Sequence, residues 1–201
     1  VEGEDLVDAA RAAGIEPVDV LIAGESITPQ LLASVSTLPH PSRVIAIYRR
    51  GDLPSRALPV GLALWRVADP GNVGTLIRTA DAFGPAAVAL SSGCADPTSA
   101  KALRASAGAI FRVPIARFAD AARPQVALVA RAGVPLPELE LGDAVSFVLG
   151  AEREGLPDDV VRQCDEVAHI PQAASAESLN VAVAGAVALY ELRRREVRER
   201  T

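Results

Sequence analysis

The sequence predicts an α/β protein: a parallel sheet with helices on both faces, doubly wound. Two patterns carry that prediction. Short apolar runs bounded by Gly, Pro and Asp recur along the chain, and helical patterns stand between them. Composition agrees. Half of the 201 residues are hydrophobic but only 3% are aromatic, so the core is filled by Ala, Val, Leu and Ile at close helix-to-sheet distances.

In chain order, Leu6 to Ala13 reads as a helix, and "VDVLIAG" and "RVIAIY" read as strands. Gly51, Pro54 and Pro59 then interrupt the periodicity between Tyr48 and Pro59, which places a domain boundary near residue 54. Residues 1–54 form a small unit of one helix and two strands. That is little chain for an independent core, so the unit is expected to lean on a neighbouring surface. Residues 55–201 form the main domain, with strands in "LALWRV", "AAVALS", "IFRVPIA", "QVALVA", "VSFVLG" and "EVAHIP". Helices are expected at Asn72 to Phe83, Thr98 to Ala107 and Val181 to Arg195.

Several function classes are disfavoured. Cys94, Cys164, His40 and His169 show no metal-ligand spacing, so no metal is expected. The net charge of −5 argues against broad nucleic-acid binding while leaving room for a local basic groove. The basic run "LRRREVRER" reads as a solvated helix end. No apolar stretch is long enough to span a bilayer and no leader is evident, so a cytoplasmic protein is expected. With no Met at any position, the chain is expected to lack its true start. There is no G-x-G-x-x-G fingerprint, no G-x-S-x-G elbow, and no Lys-Ser or Lys-Thr after the loop at Gly150 and Gly155.

Three stretches remain as candidates for chemistry. In "DPGNVGTLIRTADAFG", Asn72 is expected to cap a helix whose apolar face is Val73, Leu76, Ile77, Ala80 and Phe83, with Arg78 off that face. Pattern alone leaves Arg78 equally well read as a surface arginine or as a ligand for an anion held near the helix start. "FVLGAEREGLPDD" is a buried strand entering a glycine-bounded loop whose carboxylates suit ribose hydroxyls or a cationic ligand. In "IPQAASAESLNVAVAGAVALYELRR" a loop leads to Asn180, a second candidate cap, before a small-residue helix in which Gly185 implies close packing.

Together and in this order, these stretches resemble the SpoU/TrmH branch of the SPOUT superfamily, the RNA ribose 2'-O-methyltransferases. The family's N-x-G-x-x-x-R is matched by Asn72, Gly74 and Arg78, and its L-G-x-E-x-x-G by Leu149, Gly150, Glu152 and Gly155. Its I-P followed by E-S-L-N-V is matched by Ile170, Pro171 and Glu177 to Val181, and R-x-S-x-G by Arg104, Ser106 and Gly108. "VEGEDLVDAA" resembles the start of the family's L30e-like RNA-binding domain, here shortened.

The resemblance implies a SPOUT fold, a parallel sheet flanked by helices whose C-terminal segment is threaded into a deep trefoil knot, and a homodimer in which one subunit contributes to the other's site. It implies S-adenosylmethionine as cofactor, held by Ala130, Leu149, Gly150, Glu152, Ile170, Pro171, Gln172, Leu179 and Ala184. The catalytic set it implies is Arg78, Asn72, Glu152, Ser178 and Asn180, with Arg78, Arg104 and Ser106 meeting a tRNA or rRNA substrate. The chain departs from the family's usual residues at Gln172, Ala174 and Ala182, where Met, Gly and Ser are common. The alternative reading is an RNA-binding protein that keeps the knotted dimer without turnover.

Overall fold

The computed structural model describes residues 1–199. Seven strands form one wholly parallel sheet in the order β5-β4-β3-β8-β6-β9-β7. They are β3 (Val60–Leu64), β4 (Ala87–Leu90), β5 (Ile115–Arg117), β6 (Gln125–Val129), β7 (Val134–Pro135), β8 (Val145–Leu149) and β9 (Glu166–His169). The central strands are buried on both faces, which explains why they read as continuous apolar runs.

Alternate residues divide the core in two. Leu62, Leu64, Val88, Phe147 and Leu149 face α3 (Pro70–Phe83) and α6 (Val181–Glu199), with α4 (Ala100–Ser106) packed on the far side of α3. Ala63, Ala89 and Val148 face the opposite layer, a thin cover of α5 (Asp158–Val161), Trp65 and Phe118. The Trp65 and Phe118 rings meet edge to face at 5.2 Å.

Residues before the sheet supply α1 (Glu4–Ala12), β1 (Asp19–Ile22), α2 (Pro29–Val35) and β2 (Val44–Ile47), with β1 and β2 antiparallel. The second helix was not expected. Thr28 caps it through its hydroxyl and Pro29 opens it. This segment packs on the main layer of the same chain: Ala10 and Ile15 belong to the main core, and the Tyr48 ring lies 5.4 Å from that of Phe111.

Two expected strands are shorter than the apolar runs that suggested them. "LALWRV" leaves the sheet after Leu64, and Arg66 takes a left-handed φ of 54°. In "IFRVPIA", Ala109–Phe111 form a 3-10 turn and the strand starts beyond Pro114, at Ile115.

Small residues set the layer spacing. A Cβ added at Gly74 would lie 2.3 Å from the Ala102 carbonyl oxygen and 2.7 Å from Ala105 Cβ, so only glycine lets α3 and α4 approach this closely. One at Gly185 would lie 2.4 Å from Leu76 Cδ2, which accounts for the glycine inside α6.

The basic run at the end of α6 is more than a solvated helix end. Glu191 is buried and accepts from Arg194 and Arg195, while Arg195 also donates to the carbonyls of Leu136 (2.8 Å) and Leu139. The helix is thereby fastened to the turn before β8. Arg200, the last residue of the run, lies outside the described residues.

Gly74→Ala gains about 1 kcal/mol of helix propensity, but its methyl group collides with backbone. The expected net effect is a loss of about 1–3 kcal/mol in urea unfolding. The hydrogen bond from Arg194 foremost, and then that from Arg195, holds the Glu191 carboxyl down to about 2 against the pull of burial. A depressed folded pKa contributes stability above the unfolded value and loses it as pH falls through the folded one. Unfolding free energy is therefore expected to rise with pH between about 2 and 5, and Glu191→Gln to remove part of that rise.

Candidate active site

The carboxyl ends of β6 and β8 and the segment after β9 enclose one cleft of 390 Å³. In parallel sheets, ligand sites form at this end of the strands. The wall includes Ala130 after β6, Leu149, Gly150, Glu152 and Ser178, and then Ile170, Gln172, Leu179 and Ala184. The nine residues that the resemblance assigns to the cofactor thus line this cleft with one exception. Pro171 is exposed and lies outside the wall. Val181, the last residue of the third motif, also lines it, as do Val129, Arg153 and Leu156, which carried no sequence signal beyond adjacency to matched positions.

Loop geometry follows from local chemistry. After β8 the chain makes a tight reversal, closed by paired hydrogen bonds between Ala151 and Gly155, with Gly155 at a φ of 67°. A Cβ at Gly150 would fall 2.2 Å from the Gly155 carbonyl carbon, so the reversal closes only over glycine. Across the cleft, the Arg131 guanidinium donates to the carbonyls of Ala174 and Ala176 and ties the loop after β6 to the segment leading into α6.

The reversal presents Glu152 to the start of α3. Its carboxylate accepts from the Ala68 and Asp69 amides (3.3 and 3.1 Å) and from Asn72 Nδ2 (3.0 Å). Partial burial works to raise the Glu152 pKa. Asn72 foremost among the donors, together with the backbone amides, holds it below the ordinary carboxylate range.

The cap of α3 differs from expectation. Asp69, not Asn72, is the N-cap: its Oδ1 accepts from the Gly71 and Asn72 amides, with Pro70 at the first helical position. Lys101 donates to its other oxygen at 2.7 Å and, with the capping amides, keeps the Asp69 carboxyl below its ordinary pKa. With Asp69 on these amides and Glu152 on the two before them, no free anion site is left at the helix start. The side chain of Asn72, not needed as a cap, joins the site instead. Its Oδ1 accepts from Asn180 Nδ2 at 3.2 Å, and Asn180 Oδ1 caps α6 through the Ala182 and Val183 amides, as expected. Glu152, Asn72 and Asn180, one from each candidate stretch, are therefore joined in one hydrogen-bonded chain.

Arg78 stands apart. It is exposed two turns along α3 from Asn72, lines neither this cleft nor its neighbour, and makes no hydrogen bond or ion pair among the described residues. Arg104 is exposed at the end of α4. Ser106 is fully buried against α3 with its hydroxyl on the Leu103 carbonyl, so it presents nothing to an RNA, contrary to expectation.

A second, more open cleft of 650 Å³ shares the wall 151–154 with the first and adds Arg66, Asp69, Asn72 and Gly93. Among the described residues no cluster of His, Cys, Asp and Glu is arranged to hold a metal ion, and no helix is long and apolar enough to cross a membrane.

The chain is similar to known RNA methyltransferases. A curated relative from Bacillus subtilis, the 23S rRNA (guanosine(2553)-2'-O)-methyltransferase RlmP, is 30% identical over 96% of this chain and 87% of its own. An uncharacterized tRNA/rRNA methyltransferase from Synechocystis is 34% identical over 85% of this chain and 67% of its own. Among solved structures, the AdoMet-bound rRNA methyltransferase from Sinorhizobium meliloti superposes with a TM-score of 0.83 at 30% identity, covering 97% of this chain and 86% of that one. The SpoU rRNA Methylase family model matches residues 59–190, from the start of the parallel sheet into α6, and the chain belongs to that family.

Proposed function

We propose that the protein transfers a methyl group from S-adenosylmethionine to a ribose 2'-hydroxyl of structured RNA, with ribosomal RNA as the favoured substrate. Membership in the SpoU family makes it an RNA methyltransferase. The ribose position and the ribosomal substrate are supported by its likeness to the Bacillus subtilis enzyme over nearly its whole length. The observation that carries the reading is the convergence of two motif loops and the Ala130 loop on one cleft, at whose edge Glu152, Asn72 and Asn180 are linked.

The residues fit the cofactor. Leu149, Ile170, Leu179, Ala130 and Ala184 offer an apolar slot of the volume usual for such ligands. Gln172 lines the slot, and its Oε1 is buried without a partner, an acceptor suited to a purine amine. When bound, S-adenosylmethionine supplies the electrophilic sulfonium methyl group.

The remaining task for the protein is orientation of the 2'-oxygen and stabilisation of the charge it develops as its proton departs. A guanidinium does not give up its proton at neutral pH, so Arg78 is a charge stabiliser and phosphate holder rather than a base. Glu152 is saturated by donors and acts as a strut that fixes the loop against α3. Ser178 organises the rim.

The isolated position of Arg78 is explained if the active form is a homodimer in which Arg78 reaches the partner's cleft. Val183 and Tyr190, exposed seven residues apart on α6, supply an apolar stripe for that contact. We read the return of α6 between α3 and β8, after its leading segment is tied to the β6 loop, as the closing pass of a trefoil knot. Residues 1–54 serve as a shortened L30e-like RNA-binding unit and residues 55–201 as the methyltransferase domain.

Transfer of labelled methyl from S-adenosylmethionine is expected to reach ribosomal RNA in preference to transfer RNA, with the mark mapping to a ribose. No incorporation into any RNA, with cofactor binding intact, identifies instead an RNA-binding protein without turnover. Arg78→Ala is expected to lower the transfer rate by about 100- to 1,000-fold, while calorimetry shows unchanged cofactor affinity. Mixing Arg78→Ala with the cleft-blocking Gly150→Leu tests the shared site. Randomly mixed dimers are expected to recover about a quarter of wild-type activity, whereas a site complete within one subunit recovers none.

A further inference from the structure

The second cleft contains an arginine that no motif of the family assigns. Arg66 leaves β3 in the left-handed region, at a φ of 54°, a conformation that bulky residues rarely adopt and that persists where surrounding structure fixes it. Here it is fixed: the Arg66 amide donates to Ser91 Oγ at 2.9 Å, and the Trp65 amide pairs with the Leu149 carbonyl at 2.8 Å. The side chain runs over the backbone of Gly93, itself at a φ of 90°. A Cβ there would meet Arg66 Cγ and Nε at 3.4 and 3.5 Å. The guanidinium lines the cleft, is exposed, and makes no hydrogen bond or ion pair among the described residues.

Its guanidinium is open to an anion, although three carboxylates line the same cleft. Of the cleft's carboxylates, Asp69 is committed to Lys101 and the α3 amides, and Glu152 to three donors. Only Glu154 remains uncommitted, and Arg153 lies beside it on the same wall. Arg66 and Arg153 come from the carboxyl ends of two adjacent strands, β3 and β8, and the wall between them also bounds the first cleft. The two clefts share the wall 151–154, so a ribose held at that wall borders both of them.

We propose that Arg66 is an RNA-positioning residue that grips a backbone phosphate next to the methylated ribose. The inference rests on the proposed ribose methylation for the identity of the ligand. Arg66 takes no part in the methyl transfer itself.

The test uses Arg66→Gly, which suits a positive φ and removes the guanidinium, together with Arg66→Lys. The probe is a fluorescein-labelled 23S rRNA fragment centred on guanosine 2553. Arg66→Gly is expected to bind it about tenfold more weakly and to flatten the plot of log affinity against log salt by about 0.7–0.9. Its thermal midpoint is expected to be unchanged or higher, with cofactor affinity and kcat close to wild type and KM for RNA raised. Arg66→Lys is expected to keep the salt slope while losing part of the affinity, because it retains the charge but not the fork. Wild-type affinity and slope in Arg66→Gly, or no salt-dependent RNA binding by the unaltered protein, overturns the inference. A wild-type protein that binds the fragment but methylates no RNA overturns the proposed function, and the salt slopes still decide the role of Arg66.

Discussion

Glu152 makes the contact on which the site depends. Its carboxylate sits where the two amides before α3 would otherwise point unpaired into a cleft, and it holds them through two hydrogen bonds while accepting a third from the Asn72 side chain. Hydrogen bonds to an ionised group are worth roughly twice neutral ones, and loss of the acceptor leaves several donors unsatisfied at once. The strut also fixes Asn72, which in turn fixes Asn180 at the head of α6. One carboxylate therefore sets the relation of the loop after β8, the start of α3 and the start of α6.

Close approach of backbones makes this possible. A core with few aromatics and many small side chains lets α3 lie against α4 at Gly74 and against α6 at Gly185. Larger residues would push the helices apart by more than a hydrogen bond tolerates. The polar chain between Asn180 and Asn72, at 3.2 Å, would open first. Fold and site are coupled here through distance, since the same glycines that permit the packing permit the bonding.

Much of this was legible in the sequence, for identifiable reasons. Buried parallel strands show as apolar runs whatever their neighbours, and Asn180 caps α6 as a residue of its type before a helix should. The misplaced cap of α3 was a local error: Pro70 at the first helical position already pointed to Asp69, as Thr28 and Pro29 pointed to α2. Other features had no local signal. The bond from Asn180 to Asn72 spans 108 positions, the burial of Ser106 depends on how α4 meets α3, and the left-handed backbone of Arg66 is set by Ser91 and Leu149 on neighbouring strand ends. Such properties arise from tertiary placement and not from residue type.

The bonds from Arg131 Nη2 to the Ala174 and Ala176 carbonyls have a consequence in time as well as in space. The cleft has no wall that is complete early in the chain: its sides come from residues 128–130, 149–156 and 170–184. During synthesis from the N-terminus, the sheet can gather through β8 while the slot still lacks its last side. Only when the segment before α6 is pulled against Arg131 does an enclosed volume exist. A ligand that occupies the slot touches all three segments at once, so its binding energy favours the arrangement in which residues 170–184 are docked.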